Sequence, residues 1–440
     1  MAFSLPGVSI PHKKGTADMP PVKMTAVQSV TIPTVMHIGA PAVICVKNGD
    51  TVKIGDLIAE QGGFVSAPIH ASISGTVKLT ESLLSNGTLS PAVTIESDGE
   101  MALSESIAPP TVTSKEEFIE AVKKSGMVGL GGAGFPTYVK FATDKKIEHI
   151  VINGAECEPY ITSDNRTMID RVDDMKVALE ALFKYIAPEK VIFGVERNKP
   201  KAISSVKTLV SQFENASVKV LSNMYPQGGE KVLIYHTTGK VVPMGKLPID
   251  VGCVVLNCTT LASIGAYLKT GIPLVEKCIT VDGGSVREPK NVIVPIGTSM
   301  KEVFDFCGGF KEPPKKVLYG GPMMGIAVPS TDVPVLKNTN AILAFNEKEA
   351  TLPKTTTCIS CGNCVLHCPL GINPVGIANS YRLGNLKECE NLGVMLCMEC
   401  GCCSYICPAA RPLVQTNRIV KIAVKKAAAE KKAKEEKKNG

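Results

Sequence analysis

A chain of 440 residues, 44% hydrophobic and 20% charged, has apolar surface enough for roughly two to four folded cores, which excludes wholesale disorder. The formal net charge is +7, but residues 421–440 hold eight Lys against three Glu and carry +5 of it, so only +2 remains for the other 420 residues; a basic nucleic-acid face is not indicated. Of sixteen cysteines, ten fall between positions 358 and 407 and six in the 357 residues before them, a clustering that points to metal in a reducing compartment rather than to disulfides.

The opening MAFSLPGVSIPHKK has no basic region followed by an apolar stretch and a cleavage site, so the mature chain is expected to begin near Met1. Two uncharged runs, 24–46 and 251–268, are long enough to raise the question of a membrane span. Gln28, Pro33, His37 and Pro41 interrupt the first, and Asn257, Thr259 and Thr260 the second. A soluble or peripheral protein is expected.

Short β-type pieces at 42–46, 51–54 and 76–79, separated by Asn48-Gly49-Asp50 and Gly62-Gly63, predict a small all-β unit over 1–110. Pro109-Pro110 makes a stiff linker, and Ser114 with Glu117 fits a capping box that opens a helix over 114–124. Strand and helix pieces then alternate: strands at 147–152, 190–195 and 217–221, helices at 170–185 and 201–213. This predicts an α/β domain with a mostly parallel sheet over 111–270. Residues 271–350 read as a compact α+β module with one short helix at 299–306, residues 351–415 as a cysteine-rich unit, and 416–440 as a solvated helix or disordered tail.

Cys358-Ile-Ser-Cys361-Gly-Asn-Cys364-Val-Leu-His-Cys368-Pro369 and Cys397-Met-Glu-Cys400-Gly-Cys-Cys403-Ser-Tyr-Ile-Cys407-Pro408 are two copies of the spacing C-x2-C-x2-C-x3-C-P. Three thiolates on a tight loop occupy three corners of a cubane, and the fourth Cys of each run ligates the other cluster. The expected sets are Cys358, Cys361, Cys364 and Cys407 for one 4Fe–4S cluster, and Cys397, Cys400, Cys403 and Cys368 for the other. The spacing favours Cys403 over its neighbour Cys402. Cys389 and the six upstream cysteines read as inert buried thiols.

Four polar or glycine-rich blocks precede the clusters: 129–136, opening with Gly129, Gly131, Gly132 and Gly134; 152–159, which ends a β-run; 226–231; and 256–261. Each by itself is an ordinary loop. Together, upstream of one-electron carriers, they suggest an entry point that accepts electron pairs, and a flavin is the usual converter.

At these residues the sequence resembles the C subunits of Rnf electron-transport complexes over essentially its whole length. The 131–137, 153–159 and 227–230 blocks resemble the flavin-binding region of that family, itself similar to the flavoprotein subunit of respiratory complex I. Residues 37–41 through 64–75 look like the family's barrel-sandwich hybrid, and 283–310 like its small β-grasp module. The fold the resemblance implies is multidomain α/β, with a barrel-sandwich hybrid, a flavin-binding α/β domain, a β-grasp module and a two-cluster ferredoxin-like helical domain. It also implies that Gly129, Gly131, Lys140, Asn153, Glu156, Gly229, Asn257 and Thr260 line FMN, with Gly132, Gly134 and Glu230 in the same loops, while Phe135 and Glu158 face NAD(H). Ala155, Lys231 and Thr259 depart from the complex I pattern, each where a carboxylate is expected. The implied role is a peripheral electron-transfer subunit on the cytoplasmic side of the membrane, partnered by other Rnf membrane and ferredoxin-like subunits and indirectly by ferredoxin, with sodium or proton movement performed by the partners.

Two rival readings share the core. A microcompartment cobalamin reductase resembles the same flavin and two-cluster core, but there the barrel-sandwich piece is expected after the core and here it comes first. A flavin-free electron wire is kept in play by the three altered charges. The stretch 67–72 at the barrel tip offers no lysine for a biotinyl or lipoyl group, and His70 reads as an ordinary surface or core residue.

Overall fold

The computed structural model describes residues 4–84 and 87–439, with the backbone alone at 432 and 434–439; the first three residues of the opening segment and Gly440 of the tail lie outside it. Two antiparallel sheets build the amino-terminal barrel. One runs in the order Ser29–Pro33, Leu89–Ser97, Gly75–Leu83, Thr51–Val52, and the other Val43–Ile44, Leu57–Glu60, Ile69–His70. Val30, Ile32, Ile58, Ile73, Val77, Val93 and Ile95 are at most 1% exposed and fill the space between the sheets, as the period-two alternation of a half-buried strand requires. Residues 4–23 belong to neither sheet. They run across the neighbouring units and end in Val22–Lys23, which pairs with Lys290–Pro295 of another sheet.

The second unit is a four-stranded parallel sheet in the order Ala216–Leu221, Lys190–Glu196, His149–Gly154, Cys253–Asn257. Ile150, Val151 and Ile152 are fully buried, because helices cover both faces of such a sheet. From His149–Gly154 the chain moves outward through two strands on one side, then returns to lay Cys253–Asn257 on the other side. The strand order therefore reverses between these two strands, and the loops leaving them splay apart.

The uncharged run at 251–268 is this edge strand followed by the helix Cys258–Thr270, buried in protein. Among the described residues no helix is long and apolar enough to cross a membrane. The helix expected over 170–185 is Val172–Ala181, continued by a π-helical turn at Leu182–Ile186, and a further helix, Ser163–Asp170, precedes it. The break is at Arg171 (φ −122°, ψ 37°), whose guanidinium turns to Asp174 and Ser263. Ser163–Asp170 escapes a hydrophobic-period reading because its buried residues include Ser163, Asp164, Asn165, Arg166 and Thr167. The capping box is shifted by one: Ser114 accepts from Glu117 N at 3.1 Å, while the Glu117 carboxylate takes Thr113 N and Oγ1.

A six-stranded mixed sheet follows, in the order Val22–Lys23, Lys290–Pro295, Glu276–Asp282, Ala341–Phe345, Lys316–Tyr319, Ile326–Ala327, with the helix Met300–Phe306 capped by Ser299. The cysteine-rich unit is four short helices, Asn363–Leu366, Pro374–Arg382, Leu386–Asn391 and Cys402–Tyr405. The tail departs from expectation. Its helix, Leu413–Asn439, begins inside the cysteine-rich unit, and Leu413, Asn417, Val420 and Val424 form a buried stripe at helical spacing.

The helices Val172–Ala181 and Cys258–Thr270 cross at Gly265, where a Cβ would overlap the carbonyl of Asp174. Gly265→Ala is expected to destabilise this unit by about 1–3 kcal/mol, the usual range for overpacking, read as a lowered urea midpoint. An unchanged midpoint would show that the crossing relaxes freely.

Candidate functional site

Where the strand order reverses, Asn153 and Asn257 are register partners at the carboxyl ends of adjacent parallel strands. Asn257 caps the helix Cys258–Thr270, its Oδ1 accepting from Thr259 N at 2.9 Å and Thr260 N at 3.3 Å, and its Nδ2 donates to Asp164 Oδ2 at 2.7 Å. Asn153 Nδ2 donates to Gly228 O at 2.9 Å, so this strand end holds the glycine-rich 226–229 loop. The Lys140 ammonium donates to Val255 O at 2.7 Å and lies 4.0 Å from Glu230 Oε1. Burial lowers its pKa, with Glu230 opposing the shift.

The first glycine loop closes on itself through Gly129 N to Phe135 O at 2.8 Å and Gly134 N to Gly129 O at 3.0 Å, leaving Gly131, Gly132 and Ala133 exposed at its tip. Gly132 adopts φ +121°, which a side chain would rarely tolerate, and a Cβ on Gly131 would press on the Asn257 amide at 2.9 Å. Thr260 Oγ1 accepts from Leu130 N at 3.0 Å, Asn338 Nδ2 donates to Gly132 O at 2.9 Å, and the buried ammonium of Lys277 donates to Leu130 O. The parallel-sheet unit and the six-stranded-sheet module thus brace one loop together. Bare backbone, a buried lysine and two asparagine amides at a strand-order switch suit a flat ring with an anionic tail, and FMN fits that description.

Two predicted residues stand elsewhere. Glu156, at φ +41°, turns its carboxylate onto Asp164 N at 2.6 Å and Asn165 N at 3.2 Å, at the start of the helix Ser163–Asp170. Burial pushes its pKa up to about 7, against the pull of Lys14. Glu158 accepts from Met323 N at 3.0 Å and Met324 N at 2.7 Å, and burial raises it also to about 7. Its carboxylate anchors the 320–325 loop of the neighbouring module, not an open nucleotide face. Lys14, from the amino-terminal arm, donates to the carbonyls of Glu156, Glu158 and Ile161 and holds this turn from behind.

Asp164 carries no sequence signal of its own. It receives Asn257 Nδ2 and Thr259 Oγ1, both at 2.7 Å, so a carboxylate stands beside Thr259 although the expected one at 259 is absent. Ala155 is fully buried.

No two of the sixteen cysteines pair as a disulfide. Cys368, Cys397, Cys400 and Cys403 line one cavity together with Cys402 and Asn417, so the last cysteine of the first run meets three from the second. Cys364 lies within electrostatic reach of Cys358 and Cys407, and Cys361 is exposed. Among the described residues no three Cys, His, Asp or Glu side chains converge as they would on a single ion. The two loops repeat one backbone device. Ser360 (φ +56°) and Glu399 (φ +60°) occupy the same place in their motifs, as do Gly362 (φ +76°) and Gly401 (φ +82°), and such alternation turns backbone N–H groups inward toward negative charge. Burial pushes the Cys403 thiol up to about 12 and raises Cys368 and Cys397 as well. The Cys400 thiol is instead lowered, chiefly by its hydrogen bond with Cys402. Cys402 Sγ faces Tyr225 O at 3.9 Å.

The second cysteine loop is docked on the flavin-type crevice. Tyr225, 1% exposed and next to the glycine-rich 226–229 loop, donates its hydroxyl to Cys400 O at 2.7 Å, and the Met398 side chain packs on Gly229. Neither contact has a sequence signal, since both join segments some 170 residues apart.

Comparison with known proteins agrees with this layout. The Nuo51 FMN-binding domain matches residues 122–266, the RnfC barrel sandwich hybrid domain residues 4–100, and the SLBB domain residues 278–327. The C subunit of the proton-translocating ferredoxin:NAD(+) oxidoreductase complex of Clostridium ljungdahlii is 43% identical over 371 residues, 82% of this chain and 80% of that one. The C subunit of the Na(+)-translocating ferredoxin:NAD(+) oxidoreductase complex of Acetobacterium woodii is 41% identical over 423 residues, 94% of this chain and 95% of that one. The C subunit of the ion-translocating oxidoreductase complex of Rhodobacter capsulatus is 37% identical over 433 residues, 96% and 83% of the two chains. With the barrel in front, the flavin-type sheet in the middle and the paired cysteine runs behind, the chain belongs to the RnfC family, the C subunits of ion-translocating ferredoxin:NAD oxidoreductase complexes.

Proposed function

We propose that this chain is the electron-transfer subunit of a membrane-bound ferredoxin:NAD oxidoreductase, peripheral on its cytoplasmic side, that joins NAD(H) at a flavin site to two 4Fe–4S clusters. The observation that carries this is the docking of the second cysteine loop on the 226–229 loop, through Tyr225 and Met398. It supports an order: flavin crevice, then the cluster of Cys397, Cys400, Cys403 and Cys368, then the cluster of Cys358, Cys361, Cys364 and Cys407, whose Cys361 is exposed. The other subunits of the complex, with ferredoxin beyond them, are the partners at that outer end and perform the sodium or proton movement.

In this scheme FMN supplies the conversion between a hydride and single electrons, and the clusters carry the single electrons. The chain's own residues orient and insulate. Gly131 and Gly132 present backbone to the flavin from a loop that Gly129 and Gly134 close, Asn153, Asn257 and Thr260 set the spacing of the crevice, and Lys140 with Glu230 and Gly229 forms its floor. Phe135 borders the nucleotide side. Glu156 and Glu158 act one layer behind, by holding the turn and the 320–325 loop in place.

Two outcomes are expected. In an anaerobic NADH titration of the chain reconstituted with FMN, iron and sulfide, the flavin absorbance bleaches promptly; a bound flavin inert to NADH would move the donor assignment elsewhere, and no flavin binding would leave an electron wire. In Cys361→Ala, iron falls from about eight to about four per chain, with the paramagnetic signal of one cluster kept. Retention of all eight irons would sink the ligand partition.

A further inference from the structure

Asn417 is fully buried near the start of the helix Leu413–Asn439 and lines the cavity shared by Cys368, Cys397, Cys400 and Cys403. Its Nδ2 donates to Cys397 Sγ at 3.4 Å, while its Oδ1 is buried with no partner. The rest of that helix face is apolar: Leu413, Val414, Val420 and Val424 are buried along it. An aliphatic residue at 417 would continue the stripe without burying an unpaired amide oxygen, so packing does not account for the amide.

Sulfur does. An N–H directed at a cysteine sulfur gains strength as that sulfur takes on negative charge. The loop is also held in place for this contact. Lys421 Nζ donates to Cys397 O at 2.9 Å and to Glu399 Oε1 at 2.6 Å, and Arg418 Nε donates to Glu399 Oε2 at 3.0 Å. The backbone of 397–399 is thereby tied to the turn of helix that carries Asn417. The first cysteine run is treated differently, since Cys358 has the Arg411 guanidinium beside it at the open surface.

We propose that Asn417 tunes the inner cluster: its N–H···S bond to Cys397 stabilises the reduced, more negative state and raises the reduction potential of that cluster relative to the same cluster without the bond. The function is adjustment of one step of the relay, by a residue outside both cysteine motifs. This rests on the ligand partition proposed above.

The test is a redox titration followed by electron paramagnetic resonance, with iron counting, on the reconstituted full chain carrying Asn417→Leu or Asn417→Ser, alone and combined with Cys361→Ala. In Asn417→Leu both clusters are kept and one midpoint falls. At the original midpoint potential the reduced-to-oxidised ratio of that cluster drops about tenfold, equivalent to about 59 mV for one electron. The serine variant, which keeps a donor, recovers part of the shift, and the shift persists when Cys361→Ala has removed the outer cluster. Unmoved midpoints with both clusters intact overturn the proposal while leaving the ligand partition standing. A shift confined to the cluster that Cys361→Ala removes overturns it through the partition. Loss of inner-cluster iron in both the leucine and serine variants also overturns it, by making Asn417 a structural support.

Discussion

The reversal of strand order between His149–Gly154 and Cys253–Asn257 is the constraint on which the molecule depends. Parallel strands must be joined by long crossovers, so two neighbours reached by crossovers in opposite directions leave an open wedge at their carboxyl ends. Asn153 and Asn257 sit at the mouth of that wedge as register partners. One holds the 226–229 loop and the other caps a helix and takes Asp164. The glycine loop closes over the same place, and the second cysteine loop abuts it through Tyr225 and Met398.

The supports of this wedge are unusually polar for an interior. Asp164, Asn165, Arg166 and Thr167 are all buried on one short helix, Lys277 and Lys337 are buried where they reach backbone carbonyls, and burial lowers both lysines to about 7. Each such group costs desolvation and is offset only by a fully formed partner. The partners of the two lysines lie in other units: Lys277, from the β-grasp sheet, holds the glycine loop, and Lys337 joins the carbonyls of Pro68 and Gly126. Polar contacts that must be made across unit boundaries specify one arrangement of barrel, flavin-type sheet and β-grasp module more narrowly than apolar contact alone.

The cysteine-rich unit is organised on the same principle. Two loops with matching left-handed residues surround their thiols, and a long helix packs beside them, with Asn417, Arg418 and Lys421 reaching the second loop. A free thiol in this setting is an awkward group, raised by burial at Cys368, Cys397 and Cys403. The arrangement makes chemical sense around an iron–sulfur centre, where cationic metal replaces the protons.

What the sequence by itself determined were the features encoded in local spacing. Short-range hydrophobic period and turn residues locate the barrel strands, the alternating sheet and the helix opened by Ser114. The two cysteine runs are legible because iron–sulfur ligation needs several thiols at short, fixed spacing within one tight loop. The glycine block at 129–134 is legible as backbone freed for close approach. Everything that depends on which segments meet was decided only by tertiary structure. Glu156 and Glu158 carry carboxylates that a linear motif places on the ligand, whereas the folded chain turns them onto backbone N–H groups at 164–165 and 323–324. Asp164 and Asn417 lie on helices with no motif around them, and their roles come from neighbours about 93 and 20 residues away in sequence. The tail reads as solvated because lysines dominate its composition, yet its first turns are buried, since a helix needs only one apolar stripe to pack. Composition and spacing report local conformational preference and donor chemistry; long-range burial decides which of those donors are left free to act.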